Sequence, residues 1–144
     1  MNDSRKQLVD LTVLLLRIAA GIMFIQTGGL KVFGWFGGIP PNGGAAPAMS
    51  QAYIGGLLEI VGGALIIPGL FTRITAFILA GEMAVAYWQF HFPNGSWPIQ
   101  NHGEPAVLYC FIFLFMAAYG AGQFSLDRML RRKTRNVHDH STRR

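Results

Sequence analysis

Three side chains in this sequence could hold charge or move a proton inside an otherwise greasy chain: Arg17, Glu59 and Glu82. Arg17 interrupts the run LTVLLLRIAAGIMF, Glu59 lies in YIGGLLEIVGGALI, and Glu82 lies in ITAFILAGEMAVAY. An ionised group in an apolar run is expensive, about 2.5–3.5 kcal/mol at a bilayer centre on insertion scales, so such groups face inward and find partners. A guanidinium presents a planar fork that one or two carboxylates can accept. Arg17 is therefore expected to pair with Glu59, Glu82 or both. Two carboxylates against one arginine leave one acid in excess. Two roles follow for the trio: an ion network that fixes helix register, or a proton-handling carboxylate beside a ligand pocket.

A second polar set comprises Gln26, Lys31, Gln89, His91, His102 and Glu104. With Trp35, Trp88 and Trp97 behind it, this set would suit an amphipathic headgroup such as a quinone. Lys31 could also simply snorkel. The spacing of His91 and His102 fits no metal-ligand motif, and no metal is expected. Cys110 is the single cysteine, so neither an intrachain disulfide nor dithiol chemistry is available. No phosphate loop, nucleophile elbow or dinucleotide fingerprint is present; the Gly-x-Gly at Gly120 to Gly122 ends an apolar run and follows no strand.

The elements that must position these groups follow from composition. Hydrophobic residues make up 51% of the 144 and charged residues only 13%, about half the charge of an ordinary soluble domain. Between Lys31 and Arg128 the basic side chains are Arg73 and two histidines. So little charge cannot coat a water-facing surface, and lipid must solvate most of the chain. Four apolar segments, about Leu8–Leu30, Tyr53–Leu70, Ile74–Phe90 and Ala106–Gln123, each approach the roughly 20 residues that span a bilayer as a helix. Backbone groups find no water there, so helix is the expected conformation. The first segment has basic residues in front and Ala19–Ala20 behind, as a signal peptide would. Arg17 and its length argue for a retained helix.

The expected fold is thus all-α: a polytopic four-transmembrane-helix bundle over residues 1–127, followed by a basic tail over 128–144, frayed and able to attract anionic lipids. Arg5, Lys6, Arg73 and the tail fall on one side and Lys31 on the other, which puts both termini in the cytoplasm by the positive-inside rule. The net charge of +5 resides mostly in the tail, and no nucleic-acid motif accompanies it. Counting about 1.5 Å per residue from the cytoplasmic ends puts Arg17 and Glu82 roughly 13 Å deep and Glu59 roughly 16 Å deep, in one layer. Glycines at 55, 56, 62 and 63 flank Glu59, a face suited to close helix contact.

These residues resemble the DoxX family of small four-helix membrane proteins. The resemblance runs over residues 8 to 127 and rests on Arg17, Gly21, Gly28 and Lys31 in the first segment and Glu59 among glycines in the second. It continues through GLFTR with Arg73, Glu82 with Met83, the loop NHGEP, and the ending GAGQFSLD. His102 stands where many members carry glycine. The resemblance implies a membrane subunit of a quinone-linked oxidoreductase system in the cell inner membrane, without a redox centre of its own. It further implies a partner redox subunit or a homo-oligomer. A non-catalytic anchoring subunit and a small transporter are the alternatives.

Overall fold

The computed structural model describes residues 2–141, with side chains described for residues 2–133. It is helical throughout, and among the described residues the only extended pairing is an isolated bridge between Gly38 and Gly44. Helix α1 spans Asp3–Phe33, α2 Gln51–Ile66 and α3 Thr72–Ala86. A short α4, Pro98–Asn101, leads into α5, Glu104–Tyr119, and α6 covers Leu126–Ser141. The path of α3 runs on through a π turn over Tyr87–His91 without leaving right-handed helical torsions at its joints.

Among the described residues α1 alone, at 31 residues, is both long and apolar enough to cross a membrane by itself; α2 and α5 are shorter apolar helices. The surface is sorted for lipid. Leu15, Ile22, Leu57, Val61, Phe77, Leu108 and Phe111 are all exposed, while Asp10, Arg17, Glu59 and Thr72 are buried. A protein solvated by water shows the opposite sorting.

Helix α1 packs mainly on α2, and α3 on α5, with α2 against α3 joining the two pairs. The α1–α2 seam is made of glycine. A Cβ added to Gly28 would lie 2.5 Å from the Gly56 carbonyl oxygen, and one added to Gly63 would lie 2.6 Å from that of Gly21. These backbones touch because nothing intervenes, which is how helices gain contact when lipid removes the hydrophobic drive. Phe24 crosses from α1 to α5, its ring centroid 4.6 Å from that of Phe113 in an edge-to-face contact. Around it Ala20, Ile66, Leu79, Met83 and Met116 complete the core.

Two expectations change here. The fourth apolar segment ends as a helix at Tyr119, where Gly120 takes a positive φ of 91° and turns the chain. The stretch read as a frayed tail from 128 instead continues α6; its last three residues lie outside the described set. The physical reason is a cap and a periodicity. The Ser125 hydroxyl accepts from the Arg128 N–H at 3.4 Å, as an N-cap residue does. Leu126, Met129 and Leu130 then fall on one face, with Arg128, Arg131 and Arg132 on the other.

Candidate functional site

Helices α1, α2 and α3 each contribute one ionisable side chain to a common buried cluster. Lys31 Nζ donates to Glu59 Oε1 at 2.7 Å. The Glu59 side chain is 2% exposed and that of Lys31 26%. Glu82 approaches from α3: a Cβ on Gly55 would lie 3.0 Å from Glu82 Oε1. The missing side chain at Gly55 therefore makes the space that the Glu82 carboxylate occupies. Glu82 lies within electrostatic range of both Glu59 and Lys31. Glu59 Oε2 and Glu82 Oε2 are buried with no hydrogen-bond partner among the described residues. Two carboxylates thus share one ammonium, and two acceptor oxygens stand ready for a proton or a donor.

The cation in this cluster is Lys31 and not Arg17, which corrects the pairing expected from sequence. The glycine contacts set the antiparallel register, with Gly21 beside Gly63 and Gly28 beside Gly56. By that register Arg17 stands opposite residue 67, eight residues and roughly 12 Å along the helix from Glu59. Side-chain direction widens the gap. Cβ atoms lean toward the N-terminus of their own helix. In an antiparallel pair, Lys31 leans down toward Glu59 and Glu59 leans up toward Lys31, whereas Arg17 leans away toward the links at the other end.

There Arg17, 1% exposed, binds backbone only. Its Nη1 donates to the Ala121 carbonyl, and its Nη2 donates to Phe124 O at 2.7 Å and to Ile67 O at 3.3 Å. One guanidinium thereby gathers the C-terminal end of α2 and the link between α5 and α6. Arg73 caps the C-terminus of α5 by donating to Tyr119 O at 3.3 Å and Ala117 O at 3.5 Å. Asp127 reaches back to accept from Phe71 N–H at 2.8 Å and Thr72 N–H at 2.9 Å, closing the start of α3. Phe71, at φ 49°, has no side-chain cap of its own to offer. Asp10 accepts from Gln123 N–H at 3.0 Å. Two backbone bonds, Leu126 N to Pro68 O and Asp127 N to Gly69 O, join the links directly. The motifs GLFTR and GAGQFSLD are therefore two halves of one clasp.

The second polar set does not converge. Only Lys31 joins the buried carboxylates. Gln26 is exposed, half a turn from the buried stripe of α1. Gln89 contacts Gln51 in an exposed pair. His91 Nδ1 donates to the Asn101 carbonyl at 3.0 Å, and Glu104 opens α5, half-buried. His102 is exposed at φ 56°, a left-handed position that glycine adopts more readily. In the loop NHGEP the buried residues are Asn101 and Gly103; Asn101 donates to Gly95 O at 2.7 Å and accepts from Gly103 N–H at 2.8 Å. Gln51, Gly55 and Asn101 were not among the residues expected at a site. The glycine heptads Gly21/Gly28 and Gly56/Gly63 were the signal that could have set the register.

A helical protein with an apolar exterior, glycine-seamed helices and a buried lysine–dicarboxylate cluster is a membrane protein in its physical design. The DoxX family matches over residues 12–92, more than half of the chain. An uncharacterised protein of Haemophilus influenzae is 42% identical over 121 residues, covering 82% of this chain and 90% of that protein. The inner membrane protein YqjF of Escherichia coli is 32% identical over 144 residues, covering 89% of this chain and 98% of that protein. No solved structure matches the chain. This chain belongs to the DoxX family of membrane proteins.

Proposed function

We propose that this protein is a multi-pass subunit of the inner membrane that serves a quinone-linked oxidoreductase and holds a proton at the Lys31–Glu59–Glu82 cluster. The observation that carries the reading is the surplus buried carboxylate, with Glu59 Oε2 and Glu82 Oε2 both unpartnered. Intramembrane ionisable groups without a complete set of partners mark proton and ligand paths. The crossings are α1, α2, α3 with its π turn, and α5. The name of the Escherichia coli relative supports the inner membrane. Arg5, Lys6, Arg73 and the basic residues of α6 share one end, and the positive-inside rule puts that end in the cytoplasm.

A quinone takes up two electrons and two protons on reduction. The electrons come from a partner subunit. Glu82, half-buried at the edge of the seam, relays the two protons one at a time, taking each up from water before passing it on. Lys31 and Glu59 hold the local charge balanced while it moves. Extraction of the protein in mild detergent with analysis of co-purifying lipids tests this. A quinone is expected to be retained, and Glu82→Gln is expected to lower retention or quinone-linked turnover at least tenfold without lowering thermal stability. No retained quinone, together with no effect of Glu82→Gln, overturns the reading.

A second reading, a non-catalytic anchoring subunit, is favoured by the clasp of Arg17, Arg73 and Asp127, which spends the most recognisable motif residues on holding links together. Its sign is a co-purifying complex whose activity survives both Glu59→Gln and Glu82→Gln.

A further inference from the structure

At the clasp end, α6 encloses a cleft of about 770 Å³ against the bundle. Its walls sort by chemistry. Arg73 of α3 and Arg128, Arg131 and Arg132 of α6 bring guanidinium groups, while Phe71 and Ile74 bring apolar surface. Two carboxylates also border it, Asp10 and Asp127. Neither forms an ion pair with the arginines, and four arginines against two carboxylates leave the lining net positive. Asp127 spends both oxygens on the Phe71 and Thr72 amides, and Asp10 accepts from the Gln123 amide. Among the described residues the ion pairs are Lys6–Asp3 and Lys31–Glu59, so none of these four arginines has a carboxylate partner.

Four guanidinium groups without a carboxylate partner among the described residues, one of them (Arg73) also capping α5, form an acceptor for an anion with several oxygens, since the planar fork pairs bidentately with phosphate. The apolar wall at Phe71 and Ile74, both exposed, fits an anion that carries a hydrocarbon chain. α6 also presents Met129 at 65% exposure on the face opposite its arginines, as helices lying in a membrane interface do. We infer that this cleft binds the phosphate of an anionic phospholipid, with the acyl chains against Phe71 and Ile74. The site is held in shape by the clasp. The Ser125 cap and the bonds from α6 to Pro68 and Gly69 fix where the arginines stand. It is a defined position for one headgroup, distinct from diffuse attraction between a basic tail and a charged surface.

The test uses the full chain in nanodiscs containing phosphatidylcholine and phosphatidylglycerol, released and weighed by native mass spectrometry. The wild type is expected to retain phosphatidylglycerol preferentially. Arg131→Gln and Arg132→Gln are each expected to lower that preference about tenfold or more, the effect of losing a charge-assisted hydrogen bond to the phosphate. Lys133→Gln removes the same charge from α6 but lies outside the cleft lining, and is expected to leave the preference unchanged. Millimolar inorganic phosphate is expected not to displace the lipid. The inference is overturned by a wild type without preference, by equal losses in all three variants, or by displacement with free phosphate. The wild-type measurements stand even if an arginine variant fails to fold.

Discussion

Lys31 of α1 donates to Glu59 of α2 at 2.7 Å, across a seam where glycine backbones touch. The pair is held by the only charge-neutralising contact in the interior of the described bundle, since the other ion pair, Lys6–Asp3, lies at the exposed start of α1. Breaking it from one side should leave a buried charge uncompensated. Lys31→Met is expected to cost about 2–3 kcal/mol, below the roughly 3–5 kcal/mol of a fully enclosed pair because Lys31 keeps some exposure. The double variant Lys31→Met/Glu59→Leu should recover most of the loss. Thermal unfolding in detergent measures both. A double variant no better than the single one would show that the pair does not act as a unit.

Arg17 makes a different kind of contact, with three carbonyls and no carboxylate. Arg17→Met should strand all three and cost about 3 kcal/mol or more, as hydrogen bonds to charged groups contribute about 1.5–3 kcal/mol each without adding fully. Arg17→Lys should fall between, because an ammonium is a compact charge and cannot span the fork. Neither change should alter which residue neutralises Glu59. Equal stability of the wild type and Arg17→Met would remove the clasp from the account.

The glycine seam predicts opposite outcomes for one substitution at two positions. Gly28→Ala would drive a methyl into the Gly56 carbonyl and should cost about 1–3 kcal/mol as α1 and α2 separate. Gly81 has nothing within 4 Å of the added Cβ, so Gly81→Ala should gain about 0.5–1 kcal/mol by helix propensity. Unfolding curves of the two single variants decide the matter.

Asp127 caps a helix whose own N-cap residue, Phe71, carries no acceptor. Asp127→Ala should cost about 1–2 kcal/mol, the ordinary loss for a removed cap. Hydrogen exchange should speed up first at the Phe71 and Thr72 amides. Unchanged protection at those two amides would mean that water replaces the carboxylate without loss.

Much of this was legible in the chain itself. The apolar segments around Glu59 and Glu82 read as helices because a backbone without water must bond to itself. Glu59, Glu82 and Arg17 read as inward-facing because charge in hydrocarbon is costly, and the glycines beside Glu59 read as a contact face. Sequence determined that Arg17 and Glu59 had to be buried and which helices carried them. The partners were decided only in three dimensions. Arg17 and Lys31 lie on the same stripe of α1, two heptads apart, and both could meet a carboxylate. The antiparallel register of the glycines and the lean of side chains toward each helix's N-terminus sent Lys31 to Glu59 and Arg17 to the links. Asp127 likewise meets Phe71 and Thr72 across 55 or more residues of chain. No local pattern encodes such a contact, because its geometry exists only once the two links lie side by side.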